Sequence, residues 1–468
     1  MNSYVTIEPK IGLLPVIKPR EYSANIPGII AEAKDVLTKA GASVILGPTV
    51  IDEAGAVEAT DKLVQEKVDL VLFMVGTWVL APQVVSAARE LSIPFTVWSL
   101  TTIANFALGG ATVVKYTLEE MGMNFGFVAG LPTDEVIIDR IMHRARAAAV
   151  ANRFRHAKIG EIGGKSMGMY NATIDEFFWK KTIGVDLPHY DTYQVVKLMD
   201  EVAETEVEIV LTEVKNSVGN IVRDIPETKE SLSDDDLRVQ IRIYLALRKL
   251  VENEGLDALG NKCQPELSSS ACGLGWAACL SHALLNDHGI MCSCEADMPS
   301  AITMYIMNLL SGQPVFFADL NSVDRSIPAV RFINCGSGPL TMAKCKEETV
   351  LWPVPLMMGY PGTSKGASTS FTLKPGQVTV AKLGGGKGTA RIHFTTGTVL
   401  DGTTEPKGLF PERWPQALIK LDTDMDEFLE KAIGQHYLII YGDWTQELLE
   451  LCKIWNIKAD YRKEGDRR

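Results

Sequence analysis

Hydrophobic and polar positions alternate along this chain in two different rhythms. In the first third, short apolar runs alternate with amphipathic stretches of helix length. Lys10–Val16 (KIGLLPV) is predicted as a strand, Asn25–Ala40 as a helix closed by Gly41, and Ser43–Leu46 as the next strand. A helical pattern follows through Glu66. Leu70–Val75 (LVLFMV) is a continuous apolar run, as expected of a strand buried on both faces. Phe95–Leu100 and Asn124–Val128 repeat the theme, and Thr133 opens a long amphipathic helix to about Arg155. Strands separated by helices of this length imply parallel βαβ units.

A second alternation begins at Lys158 (KIGEIGG) and runs through a helix over Ala172–Thr182 and a strand near Val185. Ser233 followed by Asp236 resembles a capping box, with Asp in place of the usual Glu, at the head of a helix to Asn253. After Ala329 the rhythm changes. Short runs such as Val378–Leu383 and Ala390–Thr396 are separated by Gly- and Pro-rich turns, the pattern of antiparallel strands in a barrel or sandwich. The last segment returns to a strand, Tyr437–Tyr441, and a helix, Thr445–Asn456. The expected architecture is α/β: two Rossmann-like open parallel-sheet domains, residues 1–156 and 157–328, then a β-rich, barrel-like domain over 329–468.

Composition narrows the function. With 468 residues and 46% hydrophobic content the chain is too long for one core. Its net charge of −12 and the lack of a Lys/Arg block argue against a nucleic-acid partner. No uninterrupted apolar run reaches the roughly 18 residues of a membrane span. The N-terminus has too short an apolar run, with Glu8 before it, for a signal peptide. The eight cysteines show no C-x-x-C pair and read as reduced thiols. These features together point to a cytoplasmic protein.

The stretch from Cys292 to Leu320, CSCEADMPSAITMYIMNLLSGQPVFFADL, carries the candidate chemistry. It reads as strand Gly289–Cys294, helix Pro299–Leu310 and strand Val315–Ala318, with Glu295 and Asp319 just after the strands. Their spacing of 24 residues (319 − 295) fits a βαβ crossover. In neighbouring parallel strands the two acids would meet at the carboxyl edge of a sheet, where α/β folds bind ligands. Two readings follow. Paired carboxylates call for a shared proton or a cation, and oxygen ligands with an imidazole suit Mn2+. Alternatively Glu295 caps the following helix and Asp319 caps the next turn. Of the seven histidines, His436 in GQHYLIIYGD stands directly before a buried-type strand, a good place for a fixed ligand. Gly273–Ala278 matches G-x-G-x-x-A without a convincing strand before it, and Gly384–Thr389 reads as a hairpin turn. Cys292 and Cys294 alternate on a strand and read as buried, inert thiols, with one of them lining the site as the alternative.

At these residues the chain resembles the L-fucose isomerase family, with L-arabinose isomerases as more distant relatives. The matching segments are KIGLLPVIKPR, the GTW of Gly76–Trp78, KIGEIGG with GMY, KCQPELSSSACG, the CEAD–helix–FFADL unit, NCGSGP, PGQVTVAKL and GQHYLIIYGD. The resemblance implies an aldose–ketose isomerase acting on a monosaccharide through an enediol. It implies Mn2+, with Mg2+ or Co2+ as alternatives, held by Glu295, Asp319 and His436, the two acids also serving as acid/base groups. It implies a substrate pocket with Arg20, Trp78, Gln264 and Trp414, and a homo-oligomer, a hexamer above all, whose subunits share pockets. Asn334 and Gln416 stand where relatives often carry His, which bears on the substrate. An anionic sugar such as sulfoquinovose is the alternative, with Arg20, Lys18 or Lys382 as its cationic partners. A non-catalytic sugar sensor is the reading from a different class.

Overall fold

The computed structural model describes residues 6–18, 25–102, 105–165, 167–354, 361–386, 388–401 and 413–461. The chain divides into two compact units, one of residues 7–155 with 446–457 and one built on residues 156–445.

In the first unit, β1 (Lys10–Val16), β2 (Ser43–Leu46), β3 (Leu70–Val75), β4 (Phe95–Ser99) and β5 (Gly126–Ala129) form a parallel sheet in the order β2-β1-β3-β4-β5. This is a doubly wound order with its switch between β1 and β3. Every residue of β3 is buried, as its unbroken apolar run requires. The linking helices show one apolar face each; in Ile26–Lys39 the buried residues are Ile26, Ile29, Ile30, Ala33 and Leu37. The C-terminal helix, Thr445–Trp455, returns here: Glu450 pairs with the buried Arg144 at 2.8 Å and Glu447 meets His143 at 2.8 Å.

The second unit opens with β6 (Ile159–Ile162), β7 (His189–Tyr190), β8 (Ala258–Asn261) and β9 (Met291–Cys294), a parallel sheet in the order β9-β8-β6-β7. The long helix Asp234–Glu254 in this unit starts with the expected capping box, Ser233 with Asp236, and ends at Gly255 in the left-handed conformation that glycine adopts without strain.

The antiparallel part follows. Strands β10 (Phe316–Asp324), β11 (Ala329–Ile333), β12 (Gly376–Gly386), β13 (Thr389–Val399), β14 (Gln416–Leu421) and β15 (His436–Tyr441) lie in the order β12-β15-β10-β11-β14-β13. β12 also pairs with β13 along the hairpin from Gly376 to Val399, so the sheet closes on itself as a barrel. The pairing of β12 with β13 runs as far as Gly386 opposite Thr389, within the glycine-rich run predicted as a hairpin turn.

One expectation is corrected. β10 was read as the parallel neighbour of β9, but it pairs antiparallel with β11 and β15. The run VFFAD suits a buried strand in either sheet. The deciding features lie beyond Asp319: β10 continues to Asp324 with its later residues mostly exposed, and a short turn leads straight into β11. Such a hairpin pairs locally and antiparallel. Asp319 therefore belongs to the barrel, and the boundary drawn at residue 328 falls between two paired strands.

The helix Met298–Ser311 explains how the two sheets of this unit share a site. It is buried at every position from Met298 to Leu310 and packs on β8 and β9 on one side and on β12 and β15 on the other. A helix covered on all sides has no need of a polar face, which is why its sequence shows none.

Candidate functional site

The site grows from the end of β9. Cys294 closes the strand; Glu295 and Ala296 then take φ values of 62° and 50°, the left-handed region that non-glycine residues rarely enter. Two such residues in succession store on the order of 1–3 kcal/mol each, held by the surrounding packing. The turn sets Asp297 as the N-cap of Met298–Ser311, its Oδ1 accepting from the Ser300 backbone N–H at 2.8 Å. Glu295 does not cap that helix; Asp297 does, which corrects the capping reading.

From the barrel comes the other half. Asp319 on β10 and His436 on β15 are direct cross-strand partners. His436 Nε2 lies 3.2 Å from a carboxylate oxygen of Glu295 and 3.2 Å from one of Asp319. Its other ring nitrogen, Nδ1, lies 2.7 Å from Asp297 Oδ2. That oxygen also takes Lys382 Nζ from β12 at 2.7 Å, and Lys382 donates in addition to Ser300 Oγ at 2.5 Å. The structure thus brings Glu295, Asp319 and His436 together, although the route differs from the expected one: two carboxylates from two sheets meet on one imidazole.

Electrostatics follow from this packing. Burial pushes the Glu295 carboxyl up, and His436 only partly opposes it. Burial works against the His436 charge, but Asp297, Asp319 and Glu295 outweigh it and hold the imidazole well above its usual range. Asp297 would also be raised by its complete burial, yet Lys382 and His436 keep it ionised. Lys382, read as a possible anion partner, is committed to Asp297 inside the protein and is pulled down by burial.

The remaining candidates are placed as follows. Gln264 is buried and its Oε1 has no hydrogen-bond partner among the described residues. Asn334 is buried in the turn after β11, where its Oδ1 accepts from the N–H groups of Gly336 and Ser337 at 3.0 and 2.6 Å; its Nδ2 is without a partner among the described residues. Trp414 stands half-buried just before β14. Trp78 belongs to the first unit, partly exposed after β3. Arg20 lies outside the described residues.

Two features escaped the sequence reading. Asp297 was hidden by its neighbour Glu295, although Asp-x-Pro-Ser is a helix-start pattern that points to it. Cys294 is buried, as its strand position predicts, and its sulfur, that of Cys335 and a Glu295 oxygen all lie within 4.8 Å of one another, with Cys335 the partner the sequence does not point to.

Comparison with known proteins bears on this geometry. The L-fucose isomerase C-terminal domain matches residues 332–462, a span that includes His436 and four barrel strands. The chain is L-fucose isomerase-like. Its curated relatives include the sulfoquinovose isomerase of Alkalicoccus urumqiensis, 26% identical over 387 residues, 80% of this chain and 81% of that one. That of Priestia aryabhattai is 24% identical over 406 residues, covering 85% and 86% of the two chains. That of Clostridium sp. (strain MSTE9) is 25% identical over 362 residues and 76% of each chain. Family and relatives together make this L-fucose isomerase-like chain an enzyme of the sugar-isomerase type. Among the described residues no helix is long and apolar enough to cross a membrane.

Proposed function

We propose that this chain interconverts an aldose and its ketose through an enediol, and that its substrate is a sulfonated hexose of the sulfoquinovose type. The observation that carries the activity is the convergence of Glu295 and Asp319 on His436 Nε2, 3.2 Å from each. The choice of substrate is supported by the sulfoquinovose isomerases that align with most of the chain.

Shifting a carbonyl between C1 and C2 requires removal of a weakly acidic C–H proton and its return to the adjacent carbon. Two carboxylates on either side of the sugar can divide the work. Glu295 is the more buried, with a side chain 11% exposed against 40% for Asp319. We assign it the carbon-bound proton, where exclusion of water matters most, and Asp319 the transfer between the two oxygens. Gln264 Oε1 and Asn334 Nδ2, buried without protein partners among the described residues, offer an acceptor and a donor to sugar hydroxyls.

The donor set suits a divalent cation, Mn2+ first and Mg2+ or Co2+ next. Three carboxylates gather around His436 and Lys382, and a bound cation would take the place of the proton that they favour on His436 Nε2. Asp297 fixes His436 from behind, the arrangement that orients metal-ligating imidazoles. Glu295, Asp319 and His436 Nε2 would be the ligands, and the cation when bound would polarise the sugar carbonyl. The assembly we propose is a homo-oligomer, a hexamer, with pockets shared between subunits. A non-catalytic sugar sensor would need no such set of carboxylates.

The test is a panel of sulfoquinovose, L-fucose, D-arabinose and L-arabinose with Mn2+, read as ketose formation. Sulfoquinovose should be turned over fastest. Glu295→Gln, folded by circular dichroism, should lose about 10²–10⁴ of the rate. Undiminished turnover in that variant would remove the assignment, and preference for another sugar would remove the substrate.

A further inference from the structure

The fold places two thiols against the first set of donors, and the mechanism above leaves them unused. Cys294 ends β9 and Cys335 sits in the turn after β11. Their sulfurs and a Glu295 oxygen lie within 4.8 Å of one another. We propose that Cys294, Cys335 and Glu295 form a binding site for a soft divalent cation of the Zn2+ or Cd2+ class, separate from the Glu295–Asp319–His436 set and sharing Glu295 with it.

The donor chemistry selects the ion. Two sulfurs and one oxygen favour Zn2+ and Cd2+, whereas two carboxylates and an imidazole favour harder ions. Zn–S bonds of about 2.3 Å and Zn–O bonds of about 2.0–2.2 Å in a tetrahedron set neighbouring donors roughly 3.5–4 Å apart. Donors already within 4.8 Å need only a small closing movement. Neither thiol is tied up in a disulfide. Binding would release one proton from each thiol, with no change of oxidation state.

The surroundings are built in the same sense. Cys279, at the first turn of the helix Cys279–Asp287, directs its Sγ to the Cys335 carbonyl oxygen at 3.6 Å, which helps fix the turn that carries Cys335. His282, one turn further along that helix, is completely buried; its Nε2 meets Asn261 Nδ2 at 2.8 Å, while its Nδ1 has no partner among the described residues. A site of this composition at a sugar isomerase centre has a consequence that rests on the function proposed above. A soft cation held by Cys294 and Cys335 draws Glu295 away from Asp319 and His436, so Zn2+ inhibits isomerisation in competition with Mn2+.

The experiment has a binding arm that needs no activity. Metal-free full-length protein is titrated with Cd2+ or Co2+ and read by thiolate-to-metal charge-transfer absorption. The band should appear in the wild type, persist in His436→Gln and vanish in the Cys294→Ser/Cys335→Ser variant. In the wild type itself, Zn2+ should protect Cys294 and Cys335 from alkylation, located by mass spectrometry, so the answer does not depend on the variant folding. No band, a band that survives loss of both thiols, or protection of other cysteines would overturn the site. In the activity arm, Cys335→Ser should raise the half-inhibitory Zn2+ concentration by more than the 10–100-fold that loss of an outer partner costs. An intact charge-transfer band with no turnover of any sugar would strike the isomerase reading and leave the cation site standing.

Discussion

Oδ2 of Asp297 holds two partners at 2.7 Å, Nδ1 of His436 and Nζ of Lys382. One oxygen thus orients the imidazole and neutralises a completely buried ammonium. Asp297→Asn should remove both effects. A buried Lys382 without its counter-ion costs about 3–5 kcal/mol of stability. An amide beside Nδ1 also lets the ring protonate on Nε2, turning a ligand into a donor. The double variant Asp297→Asn/Lys382→Met should recover much of the stability while remaining 10–100-fold weaker in isomerisation. Urea unfolding and kcat/KM, measured on the single and double variants, separate the two roles.

The turn at Glu295–Ala296 is hemmed in by Gly260. A Cβ there would stand 2.9 Å from Met298 Sδ and Ser293 Oγ and 3.2 Å from the Ala296 Cα. Gly260→Ala is expected to cost about 1–3 kcal/mol and to displace Glu295, so activity should fall further than the melting temperature suggests. Ala296→Gly relieves a φ of 50° and should be neutral or stabilising by up to about 1 kcal/mol. Thermal melts with parallel rate measurements check both.

Acid should weaken the fold through two histidines. Burial pulls His282 and His393 down to about 4. Unfolded imidazoles titrate near 6.5, so the unfolded chain binds the extra protons. The stability each neutral ring contributes is complete above about pH 6.5 and is lost as pH falls towards 4, about 3 kcal/mol per residue. Asp287 acts oppositely: burial raises it to about 6, so its contribution is complete below about pH 4 and lost as pH rises through 6. It offsets about one of the two histidines over the same range. Denaturant unfolding across that range should show it, with a shallower slope in His393→Gln and a steeper one in Asp287→Asn.

Far from the site, the capping box of Asp234–Glu254 gives a control. Ser233 Oγ accepts from the Asp236 N–H at 3.1 Å, and Ser233→Ala should cost about 1 kcal/mol with unchanged kcat/KM.

Much of this was legible in the sequence. The run LVLFMV announced β3, and the repeated strand–helix rhythm announced the two parallel sheets. The Gly-rich turn announced the hairpin that closes the barrel. The partner of β10 was not legible in its apolar run, because such a run satisfies a parallel or an antiparallel neighbour equally; the choice is made by the residues beyond Asp319, which turn back into β11. Glu295, Asp319 and His436 meet all the same: Glu295 follows β9, His436 opens β15, and Asp319 lies directly across from His436 in the barrel. Asp297 and the Cys294–Cys335 approach depend on a left-handed turn that no residue type in CEAD advertises.

The cross-strand pair Asp319 and His436 spans 117 residues of chain (436 − 319). Loop-closure entropy makes such a contact late in folding. A polypeptide emerging from synthesis carries Glu295, Asp297 and Asp319 well before His436 exists to join them. The complete donor set is therefore a marker of finished folding, and a partly made chain has no means of assembling it early.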